Sequence, residues 1–221
     1  LSTTPAAAAE AAARMAGPVA LKAVAPGVVH KTEAGGVRLG LGDPAAVRAA
    51  AEEMAGRFRA AGHPVTAFVV QRMAAPGVEM IVGVVHDPQF GPVLACGAGG
   101  VTVELLRDVA VRLTPLTVRD AAEMVRELRT FPLLAGYRGA EPGDVGALEE
   151  IILRIGAMAE DLPQIAELDC NPVTVHRRGA TVLDARVRVA PATAPVRLGA
   201  RAARPEEGRA GGGAGPPGGG A

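Results

Sequence analysis

Three β-prone runs, Val65–Gln71, Glu79–Val85 and Pro92–Gly97, follow one another with only short Pro- and Gly-containing turns between them. Each reads as a strand, and the three together as one run of strands separated by turns. Helical signals fall outside it. Asp43-Pro44 gives an N-cap with proline at the first helical position, Val47, Ala51, Met54 and Phe58 form an apolar stripe, and Gly62 stops the helix. Thr117 caps a second helix carrying Val118, Ala121, Val125 and Leu128, and Asp144–Asp161 forms a third with Leu148, Ile151, Ile155 and Met158 inward. Val19–Val24 and Gly35–Leu39 add two earlier strands. Strands in runs, with helices between the runs, make an α+β domain and not a regular βαβ series.

The core of such a domain has to be aliphatic. Of 221 residues, 49% are apolar but only 2% are aromatic, and tryptophan is absent. The formal net charge is zero, which gives no electrostatic case for a nucleic acid or an anionic membrane as partner. No apolar run reaches membrane-spanning length without Gly, Pro or a charge, and no secretory signal is evident. Cys96 and Cys170 lie in apolar, strand-like runs without CxxC spacing, as reduced, buried thiols do. A cytoplasmic location is expected.

Three segments are expected along the chain. Residues 1–17 hold an Ala-rich stretch, Ala6–Ala13, behind a Leu start, as in the interior of a longer polypeptide or a processed chain. Residues 18–189 form the domain. Residues 190–221 turn to Pro, Arg, Ala and Gly with almost no apolar side chain, and are expected to be disordered.

Chemistry concentrates at three places. In Glu167-Leu168-Asp169-Cys170-Asn171-Pro172, strand alternation puts Glu167, Asp169 and Asn171 on one face, with Leu168 and Cys170 on the other. A hairpin turn centred on Arg178-Gly179 would bring back Leu183-Asp184-Ala185-Arg186, with Arg186 facing Asn171 and Asp184 one diagonal step away, roughly 7–8 Å between backbones. An oxygen-only cluster there suits Mg²⁺ bridging to phosphate, not zinc or iron. Taken alone, the same residues also describe an ordinary polar strand face.

Lys22 ends the first strand, and His30-Lys31-Thr32-Glu33-Ala34-Gly35-Gly36-Val37 follows eight residues later. A lysine leaving a buried strand beside a Gly-containing loop can reach nucleotide phosphates, although the Walker A order is missing and a surface lysine beside a turn has the same look. The third place is Glu79–Gly83, then Asp87–Pro92, then Gly97-Ala98-Gly99-Gly100 with Glu104. It reads either as a plain meander or as a second lobe closing over a nucleotide, with Gly97–Gly100 as a loop near phosphate.

Taken in order, Lys22, the His30–Val37 loop, Glu79–Gly83, Asp87–Pro92, Gly97–Gly100 with Glu104, and Asn171-Pro172 with Asp184 resemble an ATP-grasp domain. The pattern is most similar to the β-type domain of NDP-forming acyl-CoA synthetases (acetate–CoA ligase, ADP-forming), relatives of the succinyl-CoA synthetase β subunit. The resemblance covers about Gly17–Val189. It implies two α+β lobes with antiparallel sheets and flanking helices, a nucleotide cleft between them, and the reversible conversion of ATP, a carboxylic acid and CoA to ADP, phosphate and acyl-CoA.

By the same resemblance, Lys22 contacts ATP or ADP phosphates and Gly35-Gly36 lines the phosphate loop. Gln71, Arg72 and Met73 lie at the hinge against adenine, and Glu79 lies near the ribose. Asn171 and Asp184 hold Mg²⁺, with Asp169 as an outer contact. His30 would carry the phosphoryl group between a distant phosphohistidine and the nucleotide, a role suited to a neutral imidazole nucleophile. The CoA-binding, phosphohistidine-bearing α-type domain or subunit, where CoA and the acid would bind, is not in this chain and is the implied partner. His63, His86 and His176 are read as solvent-facing. The competing readings are a regulatory synthetase-like module of a protein acetyltransferase, sensing a ligand without turnover, and an inactive fragment.

Overall fold

The computed structural model describes residues 1–28, 34–100 and 108–192. Two separate antiparallel sheets organise them. In the first, β1 (Val19–Val24) lies between β2 (Val37–Leu41) and β3 (Ala67–Arg72). Alternation turns Val19, Leu21 and Ala23 toward two helices and Ala20 and Lys22 the other way.

Those helices are α1 (Pro5–Ala13) and α2 (Pro44–Ala60). The Thr4 side chain caps α1 and the Asp43 carboxylate caps α2, each with proline at the start, satisfying N–H groups that no helical carbonyl can reach. Ala8 and Ala12 of α1 are buried against Val47, Ala51 and Met54 of α2, and Ser2 exchanges backbone hydrogen bonds with Phe68. The Ala-rich stretch is thus packed into the first core.

The second sheet contains β4 (Val78–Asp87), β5 (Gly91–Ala98), β6 (Val109–Leu113), β7 (Ile165–Val175) and β8 (Ala180–Val182) in the spatial order β6-β5-β4-β7-β8, with β9 (Ala185–Val189) also on β7. Helices α3 (Val118–Arg126), α4 (Phe131–Leu134) and α5 (Val145–Asp161) cover one of its faces. Thr117 and Asp120 form a capping box on α3, and Asp144 caps α5. Met80, Val82, Val84, Leu94 and Cys96 meet Met124, Leu134, Leu148 and Ile152 in a fully aliphatic core. Both cysteines are free and buried, and burial pushes the Cys96 thiol up to about 12.

The run Val65–Gln71 and the next two fall in different sheets, because β3 belongs to the first and β4 opens the second, as a hinge at Gln71, Arg72 and Met73 requires. Residues 73–77 carry the chain from one to the other. The meander is β4-β5-β6, and β6 has no clear sequence signature. Its large residues Val109, Val111 and Leu113 are exposed and only Ala110 is buried, so apolar residues occupy both faces and no alternation shows. Gly97 is strand, paired with Val109, as the run Pro92–Gly97 implies, and of the stretch Gly97–Gly100 only Gly99 and Gly100 lie beyond β5. His30 and Glu104 lie outside the described residues, as do residues 193–221. Among the described residues no helix is long and apolar enough to cross a membrane.

Candidate active site

The side of β7 away from the core is built by an irregularity. Met80 pairs with Val173 and Val82 with Cys170, so Asn171 and Pro172 together face Ile81 in a two-against-one bulge. Leu168 and Cys170 before it and Val173 and Val175 after it all reach the core. Glu167, Asp169 and Asn171 keep the opposite face, as alternation predicts. On the other side of β7 the partner strand is interrupted at the same level, between β8 and β9. There the Asn171 N–H donates to the Asp184 carbonyl at 3.1 Å, and the Leu183 N–H donates to the Pro172 carbonyl at 2.9 Å.

The hairpin register therefore differs from the expected one. Asn171 faces Asp184 directly, and Arg186 faces Asp169. The cause lies in the turn. His176 and Gly179 close it around Arg177 and Arg178, with Gly179 in the left-handed region at φ 77°. The Gly179 N–H is drawn to the Asp144 carboxylate at 2.8 Å, while the other oxygen of that carboxylate caps α5. A helix N-terminus thus sets where the turn falls.

Three cross-strand pairs line this face: Asn171 with Asp184, Asp169 with Arg186, and Glu167 with Arg188, the last an ion pair at 3.1 Å. Burial, followed by the nearby charge of Glu167, pushes the Asp169 carboxyl above its usual range; Arg186 opposes this and Asp184 adds to it. The charge of Asp169 is disfavoured here, first by burial and then by its acidic neighbours, a condition that a bound cation relieves. The donor set fits magnesium in a limited way. Asn171 and Asp184 offer oxygen only, and among the described residues no group of three or more His, Cys, Asp and Glu is placed to hold a metal. Magnesium tolerates such a sparse protein set because waters and substrate phosphates complete its octahedron.

Lys22 enters from the other sheet. Its Nζ donates to the Leu183 carbonyl at 2.7 Å, across 161 positions of sequence, and so stands beside Asp184. Gln71, paired with Ala20, shares the Lys22 face of the first sheet, whereas Arg72 pairs with Val19 and takes the opposite face by alternation. Met73 begins the link between the sheets, its N–H on the Pro18 carbonyl. Glu79 lies on the face of β4 away from the core, its carbonyl taking the Gly99 N–H at 2.8 Å. Gly35 and Gly36 immediately precede β2, and the Gly36 carbonyl accepts from the Ala23 N–H next to Lys22. Two histidines are less exposed to solvent chemistry than expected: His86 Nδ1 lies 3.1 Å from the Ile165 carbonyl, and His176 bridges the Thr181 hydroxyl and the Pro76 carbonyl. Arg186 was expected opposite Asn171 and given no role there; it pairs instead with Asp169.

A family model described as an ATP-grasp domain matches residues 1–189. The β subunit of ADP-forming acetate–CoA ligase I from Pyrococcus furiosus is 40% identical over 172 residues, 77% of this chain and 74% of that subunit. The ADP-forming acetate–CoA ligase I of Archaeoglobus fulgidus is 43% identical over 173 residues, but the match is only 25% of that longer protein, so this chain spans about a quarter of it. Among solved structures, dinucleotide forming acetyl-coenzyme A synthetase 1 of Ca. Korarchaeum cryptofilum, in complex with coenzyme A and Mg-AMPPCP and with its phosphohistidine segment pointing towards the nucleotide binding site, superimposes with a TM-score of 0.73 at 40% identity, covering 83% of this chain and 81% of that one. These relatives are ligases and lend no support to a regulatory acetyltransferase module. With two antiparallel sheets and these matches, the chain belongs to the ATP-grasp domain family, in the group of the ADP-forming acetate–CoA ligase β subunits.

Proposed function

We propose that this domain binds ATP or ADP with Mg²⁺ between its two sheets and performs the phosphoryl-transfer half of an ADP-forming acyl-CoA synthetase. The overall reaction would convert ATP, a carboxylic acid and CoA to ADP, phosphate and acyl-CoA. One observation carries this reading: Lys22 of the first sheet reaches the main chain at Leu183, next to Asp184 and opposite Asn171. The cation and the oxygen ligands that a triphosphate needs are thereby brought to one spot from two independent sheets.

In this reading Lys22 leaves the Leu183 carbonyl for a phosphate oxygen and neutralises charge spread over the transferring group. Asn171 and Asp184 hold Mg²⁺, Asp169 supports them from the next cross-strand pair, and the ion supplies charge neutralisation on the phosphate oxygens. Gly35-Gly36 offers main chain that can approach an anion closely. Gln71 and Met73 border adenine at the link between sheets, Arg72 contributes only main chain there because its side chain takes the other face, and Glu79 borders the ribose. His30 receives the phosphoryl group at an imidazole nitrogen and passes it on. An α-type domain or subunit binds CoA and the acid and carries the second phosphohistidine.

Calorimetric titration of the chain with MgATP tests the site. Binding by the wild type, weakened about tenfold or more in Lys22→Ala and in Asp184→Ala, is the expected result. Indistinguishable binding by all three proteins would refute the assignment. Supplying an α-type partner with acyl-CoA and phosphate should label His30, and should leave a His30→Ala chain unlabelled.

A further inference from the structure

The C-terminal end of α2 grips both described arms of the loop that joins β1 to β2. The Arg57 guanidinium donates to the Gly35 carbonyl. It also lies flat against the Gly35 Cα, so that a methyl group there would come within 2.5 Å of a guanidinium nitrogen. Gly35 itself sits at φ 66°, a conformation that favours glycine. At the other arm, the His63 ring faces Gly27, where only an added methyl would reach it, at 3.9 Å. Between the two grips, Phe58 is buried at 3% exposure, and Val28, Ala34, Arg57, Phe58, Ala61 and His63 enclose a small hollow of about 60 Å³.

The grip is itself braced. The Gly62 N–H returns to the Arg59 carbonyl and the His63 N–H to the Phe58 carbonyl, the two bonds of a Schellman motif, which fix the direction in which the chain leaves α2. Glu53, one turn before Arg57, accepts from Arg38 of β2 at 2.7 Å and lies 4.0 Å from the Arg57 guanidinium. Arg57 is therefore one end of a chain of charges, Arg38–Glu53–Arg57, that ties β2 and α2 to the main chain at Gly35. The bond matters because of where Gly35 stands. The next carbonyl, Gly36, is bonded to the Ala23 N–H, and the residue after that, Val37, pairs with Lys22. The orientation of the Gly35-Gly36 peptide relative to Lys22 is thus set from one side by the strand and from the other by Arg57.

We infer that Arg57 is a positioning residue: through the Gly35 carbonyl it holds the Gly35-Gly36 main chain in the orientation that receives nucleotide phosphate beside Lys22. Arg57 acts from the helix side and touches no substrate. Its guanidinium suits the task, since several planar donors can hold a carbonyl while keeping contact with Glu53. The inference rests on the proposed nucleotide site, and its test separates the two.

MgATP binding by calorimetry is measured for the wild type, Arg57→Ala, Arg57→Lys, Gly35→Ala and the double variant Arg57→Ala/Gly35→Ala, each with a melting curve taken without nucleotide. Arg57→Ala should weaken MgATP binding about tenfold, the loss of one charge-assisted contact, while its nucleotide-free melting temperature stays close to wild type because the side chain is exposed. Arg57→Lys should recover part of the affinity. Gly35→Ala expels the guanidinium, so the double variant should bind no more weakly than the weaker single one. Affinity in Arg57→Ala equal to wild type, or fully additive losses in the double variant, would overturn the positioning role and leave the nucleotide site standing. A loss of affinity matched by a large fall in melting temperature, without rescue by lysine, would equally overturn it in favour of plain structural support. Absence of MgATP binding by the wild type would remove the nucleotide site itself, and this inference with it.

Discussion

The two halves of the molecule contribute unlike things to the proposed nucleotide site. The first sheet is thin: three strands and two helices around a core in which Ala8, Ala12, Ala23, Ala50 and Ala51 take much of the space. The second is thick, with three helices packed on Met80, Val82, Leu94 and their neighbours through Met124, Leu148 and Ile152. The thin half presents main chain at Gly35-Gly36 and one lysine. The thick half presents a row of fixed carboxylates and an amide on β7 and β9. Side-chain ligands need a rigid platform, whereas a main-chain cradle can sit on a lighter one if it is braced locally, as Arg57 braces Gly35.

The contrast can be broken in order of expected effect. Asp184→Ala should lower phosphoryl transfer by the assembled synthetase on the order of a hundredfold, and Lys22→Ala by less, measured as turnover at saturating nucleotide. A larger loss from Lys22→Ala would mean that the thin half carries the chemistry. Next come the cores. Leu148→Ala should cost about 2–5 kcal/mol of stability by urea unfolding, but Ala51→Gly in α2 only about 1 kcal/mol. Equal costs would erase the thick–thin distinction.

Asp108 sharpens the picture of the thick half. Its buried carboxylate accepts from the Arg129 N–H, the Thr130 N–H and the Thr130 hydroxyl at 2.6–2.9 Å, tying the start of β6 to the start of α4. Burial alone would raise its pKa, but the Thr130 hydroxyl, the two N–H groups and the charge of Arg129 outweigh it, and the net shift is downward. A depressed carboxyl stabilises the fold above its unfolded value near 3.9 and loses that contribution as pH falls through the folded one. Asp108→Asn should therefore cost about 1–3 kcal/mol at neutral pH, with the gap to wild type closing in melts below about pH 4. A gap that stays constant with pH would show the carboxylate charge to be irrelevant. Smallest of all, Arg119→Ala removes an exposed helical pair with Glu123 and should change stability by no more than about 0.5 kcal/mol.

What could be read from sequence was local or periodic. The caps at Asp43 and Thr117 each depend on residues within four positions, and the separation of Asp169 and Asn171 from Leu168 and Cys170 follows from strand alternation alone. What escaped was decided at a distance. The hairpin register moved because Asp144, 35 residues away, takes the Gly179 N–H. The assignment of β3 and β4 to different sheets came only through the family resemblance, which sets a hinge at Gln71, Arg72 and Met73, because a short Pro- and Gly-containing link looks the same whether it closes a turn or joins two sheets. β6 escaped because its only buried residue is Ala110. The contact of Lys22 with the other sheet is to a carbonyl, and main-chain atoms leave no trace in composition. Arg57 was one basic residue among many on an exposed helix face.

The chain passes between its two sheets once, at residues 73–77, so each sheet and its helices come from one unbroken stretch of sequence. During synthesis, all of the first half is made before any strand of the second, and it already possesses its own buried cluster. A ribosome-bound chain halted beyond the end of β3, with enough further residues to clear the exit tunnel, should therefore show protection of β1 from proteolysis while the β7 ligands do not yet exist. The lysine would be waiting in a finished structure for the aspartate that arrives 162 residues later.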